Sequence, residues 1–291
     1  MKARQKIVRE ALLSEHEHQP LAFVGSYTQD RGVHGLVELI RDSAAVDLGV
    51  YREKTQEDAF KYLREQIEGL GIFSLLAGNL GSHHTNLSTE VFRGFAIADS
   101  IAPFVVINDQ DAKTAWPVTL LHEIAHLWLG ATGISGSLAE RRVEQFCDKV
   151  ASEFLMSEAE LRDEFSYETL GDFYTSVDAI SYFANERNVS SSLVAFRLLS
   201  REAITQATFN DLSKHFYERW RAAQERQKQK AKATSGGPSY YVMKRLRNGS
   251  ALVDTSERLM RSGELSTTQA AAILGVRPLK VGNMFSQPRL A

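Results

Sequence analysis

The 291-residue chain has a single cysteine, Cys147, and no run of residues apolar enough to cross a membrane. One cysteine excludes a disulfide within the chain and any zinc module built on several cysteines. A membrane helix needs about 18 to 20 consecutive apolar residues, and the charged first residues lack the apolar segment of a secretory signal. The sequence therefore predicts a soluble cytoplasmic protein that binds no membrane.

The chain also lacks an overall excess of charge of one sign, because its net charge is only −2. The charge is nevertheless distributed unevenly along the chain. From residue 218 to residue 291 there are 14 Lys and Arg against 5 Asp and Glu, so the residues before 218 are net acidic. A basic end on an acidic body is typical of contact with a polyanion such as DNA, and equally of a solvated helix face. The composition, 43% hydrophobic and 24% charged, predicts an ordinary globular protein with one large and one smaller domain.

The stretch TLLHEIAHLWLG, residues 119–130, is the strongest signal in the chain. Its apolar residues predict a buried helix on which His122 and His126, one turn apart, share a face and can bind one ion. Glu123 lies about 100° further round the helix, where it can hold a water rather than share the ion. Two histidines, a carboxylate and a water are typical of a zinc hydrolase. The alternative is a core helix with two satisfied histidines.

The residues around the motif indicate where the helix begins and ends, and they exclude two classes of metalloenzyme. Gly130 predicts where the helix ends, and Pro117 is tolerated only in a first turn that begins near Thr114. A metzincin would need a glycine and a histidine where this chain has Leu129 and Thr132, so that class is excluded. A peptide deformylase would need a cysteine ligand before the motif, whereas the single cysteine follows it. The third ligand must therefore come from elsewhere.

A candidate third ligand lies in the helix predicted over residues 139–157, AERRVEQFCDKVASEFLMS. Glu144 and Asp148 border its apolar stripe, where a carboxylate is unfavourable unless it is paired or binds a metal. Glu144 follows His126 by 18 residues, enough for a loop and a returning helix, and Asp148 could accept the free N–H of a ligand histidine. The alternative is that both carboxylates pair with basic neighbours on the surface. Cys147, inside the stripe, is expected to be an inert core thiol.

Three short β-rich runs, residues 71–78, 91–99 and 102–109, come before the predicted metal helix. Gly, Asn, Ser and Asp separate them, as in a small, mainly antiparallel sheet. A sheet followed by a metal helix and a further helix is the order of a zincin. The predicted fold class is therefore α+β, with a zincin-like metalloprotease core and a helical C-terminal extension. The edge of such a sheet could pair with an extended peptide.

The predicted domains are a zincin-like metallopeptidase domain at residues 1–205 and a helical, basic extension at residues 206–291. Within the extension, residues 264–286 carry a helix-turn-helix-like pattern, with Ala271 and Gly275 where such a motif has a small residue and a turn glycine. Contact with DNA phosphates is one interpretation, and a small helical cap on the core or on a partner is the other. A homodimer is compatible with the sequence.

Together, these segments resemble the ImmA/IrrE family of zinc metallopeptidases. The resemblance rests on APFVVIND, TLLHEIAHLWLG and the ExxxD that runs into ASEFLMS, and it spans residues 23–197; GGPSYY and STTQAAAILGV resemble the tail of longer bacterial members. It implies one Zn²⁺ per chain, bound by His122, His126 and Glu144, with Glu123 as the general base of a gluzincin-like enzyme. Manganese or iron could also bind these ligands.

The chain departs from the family pattern at three places. Cys147-Asp148 replaces Ala-Asn, which brings the site closer to thermolysin-type enzymes, and Ser157 replaces a usual proline. Long members similar to this one begin with a helix-turn-helix DNA-binding domain, and no such segment precedes Phe23. Either the protein acts on a separate regulator or the chain is a truncated form of a longer protein.

The resemblance implies an endopeptidase that cleaves a DNA-binding repressor or antitoxin-type regulator and so switches on a stress, prophage or mobile-element response. The alternative is a non-proteolytic regulatory module, binding DNA or a toxin, on a metalloprotease scaffold; such a scaffold has no need of Glu123. Further contacts with the substrate or transition state are predicted for Arg197 and for the loop residues His83 and His84. For the two loop histidines, simple solvation is the alternative.

Overall fold

The computed structural model describes residues 1–15, 19–79, 85–131, 138–165, 170, 172–233 and 239–286. The strands are β1 (Phe73–Leu76), β2 (Gly94–Ile97) and β3 (Phe104–Ile107). The helices are α1 (Lys2–Ser14), α2 (Val33–Ser43), α3 (Leu48–Glu53), α4 (Gln56–Glu68), α5 (Trp116–Leu129), α6 (Leu138–Leu155), α7 (Glu158–Glu164), α8 (Phe173–Glu186), α9 (Ser191–Ser200), α10 (Gln206–Ala233), α11 (Tyr240–Asn248), α12 (Ser250–Arg261), α13 (Thr267–Leu274) and α14 (Gly282–Phe285). Within the described residues no helix is long and apolar enough to cross a membrane. The predicted α+β class is confirmed, with helices around one small sheet.

The sheet is mixed, whereas the sequence predicted mainly antiparallel pairing. Its strand order is β1-β3-β2; β3 runs parallel to β1, with Phe73 opposite Phe104, and antiparallel to β2, with Ala96 opposite Val105. A short connection between β2 and β3 reverses the chain, while β1 meets β3 only after the chain has formed β2 at the far edge. Apolar alternation identifies a strand but does not specify its neighbours, so the parallel pair was not predictable from it.

Alternate side chains of the sheet point into two different helical layers. In β3, Val105 and Ile107 pack with α5 into the larger core, while Phe104 and Val106 pack into a second core on the other side. We call the α5 side the front layer; it also contains α2, α4, α6, α8, α9 and α10. The rear layer consists of α1 and α11 to α14. Because both faces are covered, all four residues of β3 are buried.

Helix α5 carries the H-E-x-x-H motif through the centre of the front layer. A 3₁₀ turn at Lys113–Ala115 leads into the helix, Pro117 lies in its first turn, and Gly130 ends it with a φ of 65°. The predicted end is confirmed, and the start lies two residues after the predicted one. Trp128 is fully buried and stacks on Phe23, with 4.3 Å between ring centroids, which fixes the end of α5 against the segment before α2.

The helices after residue 205 do not form a core of their own. Helix α10 packs in the front layer, and α12 and α13 share the rear core with α1 from the start of the chain. A buried ion pair also joins the layers: Glu68 of α4 accepts hydrogen bonds from Arg64 Nε (3.0 Å) and from the N–H of Ala251 (2.9 Å) in α12. The domain boundary therefore stays a prediction, and the last helices pack as part of the body.

The helix-turn-helix-like segment contains α13, Gly275 and α14. Ser266 and Gln269 form a capping box at the start of α13, and Gly275 has a φ of 65°, as a turn glycine requires. After a 3₁₀ turn, α14 has only four residues, and its Met284 is buried in the rear core. Contact with DNA and packing as a helical cap both stay predictions for this segment.

Candidate metal centre

Two helices of the front layer supply the candidate ligands. His122 and His126 are one turn apart on α5, and Glu144 and Asp148 are one turn apart on α6. Helices α5 and α6 pack along each other, which brings Glu144 to both histidines. The Nε2 atoms of His122 and His126 are 3.1 Å apart, and oxygens of Glu144 lie 3.1 Å from the first nitrogen and 3.4 Å from the second.

These three donors fit a single metal ion. In a tetrahedral site with bonds of about 2.1 Å, neighbouring ligand atoms are about 3.4 Å apart, close to the separations in this cluster. Two ring nitrogens that face each other at 3.1 Å can share only one proton, whereas one cation accepts a lone pair from both. The side chain of Glu144 is 50% exposed, so the cluster is open to solvent, as a catalytic metal site must be.

Asp148 contacts the other nitrogen of His122. Its Oδ1 lies 2.9 Å from Nδ1 of that ring, so the carboxylate can accept the ring N–H and leave Nε2 available to a metal. This is the geometry that the predicted role of Asp148 requires. The corresponding Nδ1 of His126 is buried, and it has no hydrogen-bond partner in the described part of the chain.

The surrounding carboxylates stabilise positive charge at His122. Burial lowers the pKa of His122, but its hydrogen bonds with Asp148 and Glu144 outweigh burial and raise the pKa to about 10. Burial and repulsion from His122 lower the pKa of His126. The hydrogen bond with His122 lowers the pKa of Glu144. A metal ion can supply the positive charge that these groups favour, in place of a proton.

Glu123 lies against the edge strand β2. It is 5% exposed, and burial raises its pKa to about 7; the positive charge of His122 opposes this rise, and the Glu144 and Asp148 carboxylates add to it. A Cβ at Gly94 would come within 2.8 Å of Oε1 of Glu123, so the missing side chain leaves room for the carboxylate. The sequence did not predict this contact, although a lone glycine inside a strand often indicates a close approach.

Arg197 contacts residues of α6 and α7 rather than the metal donors, and its contact with the substrate stays a prediction. It is buried, and its guanidinium donates to Ser152 Oγ (3.0 Å), Glu153 (2.8 Å) and Glu158 (3.1 Å). Glu153 lies about 13 Å along α6 from Glu144, at 1.5 Å per residue. Arg197 therefore ties α9 to the end of α6 and the start of α7. Its partners come from two other helices, and nothing near it in the sequence indicates them.

Three other predicted residues have different outcomes. His83 and His84 lie outside the described residues, so their contact with a substrate stays a prediction. Cys147 is fully buried, and burial together with the nearby carboxylates raises the pKa of its thiol. A buried, protonated thiol is unreactive, as expected for a core cysteine.

The family described as Peptidase_M78, IrrE N-terminal-like domain, matches residues 76–199. These residues are similar to the IrrE N-terminal-like family. This IrrE N-terminal-like domain contains the metal donors and Glu123, together with β2, β3 and helices α5 to α8. No curated protein and no solved structure matches the chain.

The predicted resemblance to the ImmA/IrrE family is thus confirmed, and the chain contains a domain of a metallopeptidase family. The IrrE N-terminal-like match begins at residue 76, later than the predicted residue 23, and ends at residue 199, close to the predicted 197. Helices α1 to α4 and the whole rear layer therefore lie outside the match.

Proposed function

We propose that this protein is a zinc-dependent endopeptidase. The observation that carries the proposal is Glu123, a buried carboxylate that lies beside three converging metal donors and against the edge of the sheet. A protein that only bound a partner would have no use for a buried carboxylate at this point, where burial disfavours its charged form. The match to a metallopeptidase family supports the same class.

Each residue of the cluster has a role in the proposed reaction. His122, His126 and Glu144 would hold the ion, and two imidazoles with one carboxylate are a typical donor set for zinc. Zinc, when bound, lowers the pKa of a water and polarises a carbonyl group. Glu123 accepts the proton of the attacking water and delivers it to the leaving amine. Asp148 keeps His122 in the tautomer that leaves Nε2 free.

Strand β2 offers a place for the substrate backbone, because within the described residues it pairs with β3 on one side and with no strand on the other. The hydrogen bond from the N–H of Asn108 to the carbonyl of Arg93 (2.8 Å) sets the pattern of the antiparallel pair. The backbone groups of Gly94 and Ala96 then point away from β3. An extended peptide added there would run past Glu123, which touches the first residue of β2.

The substrate we propose is a DNA-binding repressor or antitoxin-type regulator, cut to switch on a stress, prophage or mobile-element response. The resemblance to the ImmA/IrrE family supports this class of substrate. An enzyme with such a role must spare other proteins in the same compartment. We therefore expect little activity on arbitrary unfolded proteins, and rapid cleavage of many of them would contradict this substrate class.

A comparison of new protein N-termini in cells that express the wild type or Glu123→Gln tests the proposal. Glutamine keeps the size of the side chain and the metal donors but removes the base, so cleavage should slow by about 10²-fold to 10⁴-fold. We expect one new N-terminus, in one regulator, with the wild type only. Identical sets of N-termini, with zinc bound equally to both proteins under the inducing condition, would overturn the proposal that the protein is an endopeptidase.

The alternative is a non-proteolytic module that binds DNA or a toxin on the same scaffold. DNA contact through residues 206–291 stays a prediction, which binding of a duplex at two salt concentrations tests. If the protein contacts several phosphates, raising the salt concentration from about 50 to about 200 mM lowers its affinity for the duplex by about 10³-fold or more. A homodimer likewise stays a prediction, and the molar mass in solution decides it.

A further inference from the structure

The end of β3 holds a polar side chain that the proposed reaction does not use. Asn108 is fully buried, and its amide group donates hydrogen bonds to the carbonyls of Leu87 (3.1 Å) and Phe92 (3.0 Å). Its backbone N–H donates to the carbonyl of Arg93 (2.8 Å). One residue therefore fixes both ends of the segment 87–93, which leads directly into the edge strand β2.

The next residue, Asp109, faces the rear layer. Its side chain is 9% exposed and forms an ion pair with Arg247 of α11, with 2.8 Å between Oδ2 and Nε. The other oxygen accepts a hydrogen bond from the side chain of Gln110 (2.8 Å). Because Asp109 and Asn108 are consecutive, a movement of Asp109 relative to α11 moves the peptide unit that they share.

This turn packs closely against the residues that follow β1. A Cβ at Gly78, just after β1, would collide with the side-chain oxygens of both Asn108 and Asp109. The carbonyl of Gly78 also accepts the N–H of Leu87 (2.8 Å), which adds a second tie to the segment 87–93. A close-packed interior transmits small displacements to its neighbours.

At its far end the same segment reaches the general base. Gly94 follows it directly, and the space where the Cβ of Gly94 would be lies 2.8 Å from Oε1 of Glu123. The distance between the edge strand and Glu123 therefore depends on where the segment is held. Contacts run without a gap from Arg247, through Asp109 and Asn108, to β2.

We propose that Asn108 and Asp109 are positioning residues for the substrate-binding edge, and that Arg247 makes this position depend on the rear helices. Substrate binding at this edge rests on the proposed function, whereas the mechanical coupling of α11 to β2 does not. Loss of the Arg247 ion pair loosens the segment 87–93 and leaves the donors on α5 and α6 in place. Substrate binding is therefore weakened more than the chemical step.

Hydrogen exchange of the full-length chain, read by mass spectrometry, tests the coupling without a substrate. We expect Arg247→Ala to speed exchange in peptides covering residues 87–97 by about tenfold and to leave the peptides of α5 unchanged. Arg247→Lys, which keeps the charge, should restore most of the protection. The matched control is Arg258→Ala, which removes the ion pair between α12 and Glu15 in the same rear layer.

Two results would overturn the coupling. One is unchanged exchange over residues 87–97 in Arg247→Ala. The other is an increase that Arg258→Ala reproduces, because that would show a general loosening of the rear layer. If Arg247→Ala folds poorly, Asp109→Asn repeats the test, since it keeps the size of the side chain and removes only its charge.

Kinetics then separate positioning from simple destabilisation. With the substrate found from the N-termini, Arg247→Ala should raise KM about fivefold, the factor that ~1 kcal/mol gives, and keep kcat within about twofold. A fall in kcat at constant KM would contradict positioning of the edge. If the wild type cleaves nothing, the proposed function fails, and the exchange experiment still decides the coupling.

Discussion

The front and rear layers cover the same small sheet, but they treat buried charge differently. In the rear layer, buried Arg245 is matched by Asp254, 2.8 Å away. In the front layer, three carboxylates, Glu123, Glu144 and Asp148, gather around two histidines. A matched pair is what folding tolerates, whereas an acidic cluster is unfavourable unless a cation joins it.

Matched pairs, such as Arg245 with Asp254 and Arg64 with Glu68, therefore stabilise the fold, whereas the carboxylate cluster of the front layer favours a cation. A substitution in a matched pair should lower the free energy of unfolding and leave metal binding intact. A substitution in the cluster should lower the metal affinity and change the free energy of unfolding of the metal-free protein less. Four variants test this difference, and they are described in order of decreasing expected effect.

The largest effect is expected at a metal donor of the front layer. His126→Ala removes one of three donors, so we expect cleavage to be abolished and zinc to be lost. Zinc at about a hundredfold its Kd stabilises a folded protein by about 2.7 kcal/mol, so it should raise the Tm of the wild type and leave that of the variant unchanged. Thermal unfolding with and without zinc measures this, and an equal rise in both proteins would remove His126 from the donor set.

The next effect is expected at the junction with the rear layer. Glu68→Gln leaves the buried charge of Arg64 without its counter-ion, which should lower the free energy of unfolding by about 3–5 kcal/mol. Zinc affinity should not change. Urea unfolding measures the loss, with Arg261→Ala as the control, since it breaks an exposed pair with Glu257 and should cost less than about 1 kcal/mol. A loss of zinc affinity in Glu68→Gln would contradict the difference between matched pairs and the cluster.

A smaller effect is expected where a front carboxylate orients a ligand. Asp148→Asn removes the charge that accepts the Nδ1–H of His122, so zinc affinity should fall about 10-fold to 100-fold. Without zinc, the free energy of unfolding should fall by about 1 kcal/mol near neutral pH, because Asp148 favours the proton on His122 but is itself 55% exposed. Competition with a chelator measures the affinity, and Asp163→Asn, exposed on α7, is the control. Equal affinities in all three proteins would show that Asp148 has no part in the site.

The smallest effect concerns the acid stability of the rear layer. Burial would raise the pKa of Asp99, but hydrogen bonds from the N–H groups of Ala102 and Ile101 and from Arg9 of α1 outweigh it and lower the pKa. A lowered pKa stabilises the fold above the unfolded value of about 3.9, and this stability is lost as the pH falls through the folded value.

Asp99→Asn should therefore cost about 1 kcal/mol at pH 7 and nothing at a pH below the folded pKa. Urea unfolding of both proteins from neutral to acid pH gives the difference. If the difference is the same at every pH, the charge of Asp99 does not stabilise the link between α1 and the sheet.

The local parts of the fold and site were predictable from the sequence. His122 and His126 share a face because the helical period is a property of the backbone, and Gly130 ends α5 because it adopts a positive φ without strain. The direction of β3 relative to β1 was not predictable, since their pairing depends on where β2 lies. The ion pairs of Arg197 were not predictable either, since its acidic partners lie on α6 and α7, which only packing brings to α9.

The sequence alone accounts for three features of α5: two histidines on one face, apolar sides that are buried, and a defined end. Each of these features depends on residues within about one helical turn of one another. Tertiary packing accounts for the contact of Glu144 with the histidines, for the room that Gly94 leaves for Glu123 and for the ion pair of Arg247 with Asp109. These contacts join distant segments, and they form because helices bury apolar area against both faces of one sheet, where shape and close packing select the partners.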